Sequence, residues 1–141
     1  MVLSSRDLID SINAEEERRY VESYRFMEEQ KIKKALAPAQ WEEFKQTLED
    51  SVRKTGAVSP VIISFESDYP DEAVLRNQRN GRIARLIYNP DVPCVQYQTP
   101  TKSGTYTFRL NTGGTILQFM DGARPKLTGE LAYDIIRTIL H

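Results

Sequence analysis

Arg76, Arg79, Arg82 and Arg85 bracket the pair Asn80-Gly81. Asn-Gly between runs of β-forming residues is a strong signal for a two-residue hairpin loop. In that register Arg79 faces Arg82 and Arg76 faces Arg85. Like charges directly opposite each other destabilise a sheet slightly, so the arrangement suggests an anion site. Guanidinium forks suit phosphate and carboxylate. The alternative is structural pairing with nearby acids such as Glu66 or Asp71. Tyr88 and Tyr97, with Tyr106, Phe108 and Phe119, lie in neighbouring runs. They either line a ligand pocket between a sheet and a helix, where Arg76 or Arg85 grips an anionic group, or simply fill a core.

The other reactive residues point to no reaction. Carboxylates gather in the segment Asp68-Tyr69-Pro70-Asp71-Glu72, with Asp91 and Asp121 elsewhere. Converging loops would let such a set do general acid-base work or hold a Mg²⁺ or Ca²⁺ ion; against that, Asp and Pro are ordinary turn formers. Cys94 is the only cysteine and His141 the only histidine. A structural zinc site needs about four Cys or His ligands. A His-based catalytic triad would have to run on the last residue, at a fraying end. Cys94 has no histidine or lysine beside it to activate a thiolate, and reads as a small buried hydrophobe. Asn111-Thr112-Gly113-Gly114-Thr115 resembles a phosphate-binding loop in composition, but it joins two strand-like runs and opens no helix. The reading names no catalytic residue, no metal ligand and no cofactor.

The elements that must position these residues change character near Gly56. Before it, apolar residues recur at helical spacing in a dense charge background. After it, short alternating runs are punctuated by Asn, Gly and Pro, and an amphipathic segment closes the chain. A change of period from 3.6 to 2 predicts an α+β fold. Residues 5–12 form one helical piece, with Ser4 or Ser5 as cap. Asn13 followed by Glu16 resembles a capping box, so either a new helix starts at residue 14 or Asn13 is a weak point in a continuous one. That helix runs to about Leu36. Ala37-Pro38 then ends it and starts another, in which Trp41, Phe44, Leu48 and Val52 make the cleanest apolar stripe.

Strands are expected at 61–66, 73–79, 82–88, 94–99, 105–110 and 115–120, arranged as an antiparallel meander of five to six strands curved around a C-terminal helix. Residues 82–88 alternate so little in polarity that cover on both faces is expected. For the last hairpin, a 111–114 loop sets Leu110 against Thr115, Phe108 against Leu117 and Tyr106 against Phe119. The two or three N-terminal helices are placed at an edge of the sheet or on its other face. The chain is read as one domain, with helical residues 1–55 packing on 57–141.

The charge balance, 19 basic against 20 acidic residues, offers no bulk attraction to nucleic acid or anionic lipid. Phosphate-backbone binding through the four arginines is the weakest of the readings considered. No apolar leader follows Met1 and no run is long enough to span a membrane, so a cytoplasmic protein is expected. Tyr20, Tyr24, Met27 and Trp41 give the helical half more apolar surface than one small sheet requires. Together with the missing catalytic signatures, this favours a non-enzymatic binding or interaction module that forms a homodimer or engages a protein partner through its N-terminal helices. The alternative is a small-molecule binding protein or enzyme with the pocket described above.

Overall fold

The structure is a computed structural model, and it describes residues 4–58 and 62–141. Helix α1 spans Ser5–Val58 without interruption. It starts as the sequence suggests: Ser4 Oγ accepts the N–H of Asp7 at 3.2 Å, an N-cap interaction. Of the two alternatives at Asn13 the continuous helix is observed, and the break expected at Pro38 does not occur, so one helix replaces the two or three anticipated. Pro38 lacks the N–H for one ladder bond and disfavours α geometry in Ala37. Ala37 nevertheless lies one turn before Trp41 on the same helix face, and both are buried against the sheet. A break at Pro38 would pull Ala37 off that face. The solvent-facing side of the helix at Pro38 leaves the proline ring without a neighbour to clash with outside the helix itself.

Seven strands follow: β1 Ile63–Glu66, β2 Glu72–Asn77, β3 Ile83–Asn89, β4 Cys94–Gln98, β5 Ser103–Leu110, β6 Leu117–Asp121 and β7 Arg124–Lys126. They form one antiparallel sheet in sequence order. Helix α2, Thr128–Leu140, closes the chain. The fold class is therefore α+β, with two helices and seven strands. The additional strand, β7, escapes a pattern search because it has three residues and contains Pro125. Of the first expected strand, Val61 lies outside the described residues.

Two hairpins differ in register from expectation, and an asparagine side chain is the cause in each. Asn77 Oδ1 accepts the N–H of Arg79 at 2.9 Å, and Asn77 N–H bonds to Arg82 O at 2.9 Å. This side-chain turn closes a four-residue loop, 78–81, with Gly81 at φ 76°, in place of a two-residue loop. Arg76 consequently pairs with Ile83 and Arg85 with Val74, so neither Arg79–Arg82 nor Arg76–Arg85 is an opposed pair. Asn111 Oδ1 likewise accepts Thr115 N–H and Ile116 N–H at 2.9 and 3.0 Å. The loop moves to 112–115, and the pairs become Leu110–Leu117, Phe108–Phe119 and Tyr106–Asp121. Both shifts are by an even number of residues. Each side chain therefore keeps the face that the alternation assigns to it.

Contacts divide the chain into two units, Met1–Ile32 and Lys33–His141. In the second unit one sheet face is covered by two elements, the 33–58 portion of α1 and helix α2. Their buried residues are Ala37, Trp41, Phe44, Leu48 and Val52 from α1, and Leu131, Ala132, Ile135, Ile136 and Ile139 from α2. These helices lie on the same face, not on opposite ones, because seven strands spaced about 4.8 Å apart make a surface roughly 29 Å wide. One helix of about 10 Å diameter cannot cover it. The opposite face has no covering element among the described residues. β3 shows this directly: Ala84, Leu86 and Tyr88 are buried, while Ile83 and Ile87 are 37% and 41% exposed. The expectation that β3 is covered on both sides is corrected accordingly.

Candidate functional site

The β2–β3 hairpin tip and the end of α2 form the most densely hydrogen-bonded polar cluster of the second unit. Asn77 is the one buried polar residue of the core among the described residues, 1% exposed. Its Nδ2 donates to Ile139 O at 2.8 Å. Asn80 Nδ2 donates to the same carbonyl at 3.2 Å, and Arg82 Nη1 donates to Thr138 O at 3.1 Å. The last turn of a helix carries carbonyls with no partner inside the helix. Here three side chains of one hairpin satisfy two of them. Arg82 adds its positive charge to the negative end of the helix dipole. Arg82 is thus engaged by the protein's own backbone, while Arg79 stands exposed in the turn. Asn77 was missed as a key residue by sequence reasoning. The available signal was an asparagine at the end of a β-run, just before a turn.

Arg76 and Arg85 lie on the uncovered sheet face. Arg85 Nε is 3.2 Å from Glu72 Oε1, in a pair whose side chains are 55% and 28% exposed. Arg76 has no ion pair within 4.0 Å among the described residues. A shallow depression of about 430 Å³ is lined by Arg85, Ile87, Gln96, Tyr97, Gln98, Ser103, Gly104 and Thr105. The tyrosines named with these arginines face the other way. Tyr88 is buried and stacks on Trp41 at 5.7 Å. Tyr97 is buried and stacks on Tyr106 at 4.4 Å. The Tyr88 and Tyr97 rings thus pack on the face opposite the Arg76 and Arg85 side chains; of the four, Arg85 and Tyr97 line one depression, and Arg76 and Tyr88 do not join them. The packing of Tyr97 also depends on Gly104: a Cβ there would lie 2.6 Å from the Tyr97 hydroxyl.

Beneath α2, at the β6–β7 end, the tyrosines meet a polar group. Lys126 Nζ lies 2.6 Å from Asp134 Oδ2 and 3.8 Å from Asp121 Oδ2. The hydrogen bond to Asp134 raises the Lys126 pKa. Burial is the main cause that raises Tyr106, helped by Tyr97 and the two aspartates. Tyr97 is raised by burial and then by Asp121 and Asp134, and Tyr88 by burial and then by Asp71. All three phenols are neutral at ordinary pH. The hydroxyls of Tyr88 and Tyr106 are buried with no hydrogen-bond partner. Cys94 is buried and free, and burial raises its pKa, so the thiolate needed for reactivity is disfavoured. Among the described residues no group of three or more His, Cys, Asp and Glu side chains is placed to hold a metal ion.

A second apolar groove, of about 390 Å³, runs between Gln40 and Glu43 of α1 and the β6–β7 edge, where Leu117, Phe119 and Leu127 line it. It includes none of the arginines or tyrosines singled out from the sequence.

The first unit is different in kind. From Ser5 to Met27 every residue of α1 is exposed. That stretch includes Tyr20 at 74%, Phe26 at 63% and Met27 at 60% exposure, together with Leu8, Ile9, Ile12, Val21 and Tyr24. Glu15 bridges to Arg18 and Arg19 along the helix, and Glu28 to Lys31. Phe26 was not among the residues of the sequence-derived stripe. No described helix is long and apolar enough to cross a membrane. No family model, curated protein or solved structure matches the chain.

Proposed function

We propose that the protein is an interaction module that self-associates through the N-terminal segment of α1, residues 5–32. One observation carries this reading: a helical segment leaves all of its large apolar side chains in solvent. Contiguous exposed apolar surface on a soluble domain marks an interaction site more often than chance scatter does. Tyrosine and methionine are also the side chains that interfaces favour. The uncovered segment contrasts with residues 37–52 of the same helix, whose apolar side chains are buried in a well-packed core. The absence of a catalytic constellation in the sequence points the same way.

The test is sedimentation equilibrium across a concentration series, on the natural chain and on a Tyr20→Glu, Tyr24→Glu double variant. The expected result is a reversible dimer with a dissociation constant on the order of 10 µM, about −7 kcal/mol. The double variant, with unchanged circular dichroism, is expected to be monomeric. A natural chain that stays monomeric throughout the series overturns the reading.

A second reading rests on Arg76 and on the depression beside Arg85: binding of a small anionic ligand on the open sheet face. Inorganic phosphate or citrate is then expected to raise the melting temperature of the natural chain and not that of an Arg76→Ala, Arg85→Ala variant. Equal shifts in both proteins reject it.

A further inference from the structure

The apolar side chains of the N-terminal segment fall into two clusters separated by charge. Leu8, Ile9 and Ile12 form the first; Tyr20, Val21, Tyr24, Phe26 and Met27 form the second, and Glu15 to Arg19 lie between them. At 3.6 residues per turn, Ile9, Ile12, Tyr20, Tyr24 and Met27 share a sector of about 120°. The charge along the segment is not even. Residues 5–17 hold five acids (Asp7, Asp10, Glu15, Glu16, Glu17) and one base (Arg6), a net charge of −4. Residues 18–32 hold four bases (Arg18, Arg19, Arg25, Lys31) and three acids (Glu22, Glu28, Glu29), a net charge of +1.

We propose that the partner of this segment is a second copy of the same chain laid antiparallel, with the Leu8–Ile12 cluster of each copy packed on the Tyr24–Met27 cluster of the other. This deepens the reading given above and rests on it. Two arguments set the direction. A parallel pair would place the −4 half on its own copy, with Glu15, Glu16 and Glu17 facing the same run. An antiparallel pair places it against the +1 half. Register supplies the second argument. When paired residue numbers sum to 36, Ile9 meets the partner's Met27 and Ile12 meets the partner's Tyr24. In that register Ser4, the helix cap, lies opposite the partner's Ile32, where the first unit ends. The two segments then overlap along their whole length. The stripe residues of both clusters are covered; within the stripe Glu16 lies beside the partner's Tyr20 and Asn13 beside the partner's Ser23, while Val21, Phe26 and Ile32 fall outside it. Such a pairing is isologous and closes on itself, as a two-fold dimer must.

The direction is tested by disulfide trapping in the full chain. Ile9→Cys and Met27→Cys are made as separate variants carrying tags of different size, mixed and mildly oxidised; the natural Cys94 is buried and stays out of the exchange. The expected product is the mixed 9–27 disulfide, several-fold above the 9–9 and 27–27 products. Predominant 9–9 and 27–27 products would overturn the antiparallel arrangement while leaving self-association intact. A monomeric natural chain would overturn both. Salt gives an independent readout on the unmodified protein. Between about 0.05 and 0.5 M salt, the antiparallel dimer is expected to hold or weaken. A parallel dimer would tighten several-fold as the repulsion between its acidic halves is screened, and such tightening rejects the proposal.

Discussion

Asn77 shows how one buried amide can organise both a turn and a helix end. Its oxygen closes the β2–β3 loop and its nitrogen holds the last turn of α2. Asn77→Ala would remove one of the two donors to the Ile139 carbonyl and leave the Arg79 N–H without its partner. A loss of about 1–3 kcal/mol is expected, measured by urea denaturation, the usual cost of a buried polar group left unsatisfied. Tyr106 is the converse case, a buried hydroxyl with nothing to bond. Tyr106→Phe keeps the stacked ring and removes that hydroxyl, so a gain of about 1 kcal/mol is expected in the same assay. Two of the raised groups, Tyr106 and Lys126, act on stability in the same direction. Tyr106 resists ionisation in the folded protein, whereas the unfolded chain ionises near pH 10. Lys126 holds its proton beside Asp134 above the unfolded value of about 10.4. Both contributions are complete below those values and are lost as pH rises through the folded ones. Melting temperature is therefore expected to be level in mildly alkaline buffer and to fall above about pH 10. The fall should be shallower in Tyr106→Phe. An equal slope in both proteins would remove Tyr106 as a cause.

At the scale of the element, α1 carries a proline that local propensity alone would place at a boundary. Proline in a helix interior is disfavoured by about 3 kcal/mol relative to alanine. Part of this is returned because proline restricts the unfolded chain, by about 0.4–1 kcal/mol. Pro38 is exposed, so replacement disturbs no packing. Pro38→Ala is expected to raise stability by about 2 kcal/mol and to deepen the helical dichroism signal. An unchanged midpoint would mean that the ladder is already open at that turn. The hairpins were legible in part. Asn80-Gly81 and Gly113-Gly114 located both turns, because glycine alone adopts the positive φ seen at Gly81 and Gly114 without strain. The exact register was not legible. It depends on whether the Asn77 and Asn111 side chains turn back onto the backbone, and a pattern of polar and apolar residues does not contain that choice.

For the whole molecule, the decisive feature of the second unit is a sheet covered on one face only. The two faces should respond differently to substitution at adjacent positions. Leu86, fully buried on the inner face, is expected to cost about 2–5 kcal/mol on replacement by alanine. Its neighbour Ile87, on the open face, is expected to cost no more than about 0.5 kcal/mol on replacement by threonine. Comparable losses at both positions in thermal or urea unfolding would mean that the open face is covered in solution. The proposed dimer belongs to this scale as well. If residues 5–32 pair, the dichroism signal of that segment should strengthen with protein concentration, because most helical stability in proteins comes from packing an apolar face, which this segment lacks on its own.

The sequence by itself determined the fold class, the face assignment of most strands and the buried stripe Trp41, Phe44, Leu48 and Val52. These follow from period and composition, which act locally and are preserved when a register shifts by two residues. Only the tertiary structure decided that α1 continues through Pro38, that β7 exists, and that both helices share one sheet face. It also turned Tyr88 and Tyr97 inward while Arg76 and Arg85 face out, and engaged Arg82 with a helix end. Each of these outcomes depends on a contact between residues far apart in the chain: Ala37 and Trp41 against the sheet, Asn77 and Arg82 against the end of α2. The width of a seven-stranded sheet sets how many helices must cover it, and that width is known only once the strands have paired.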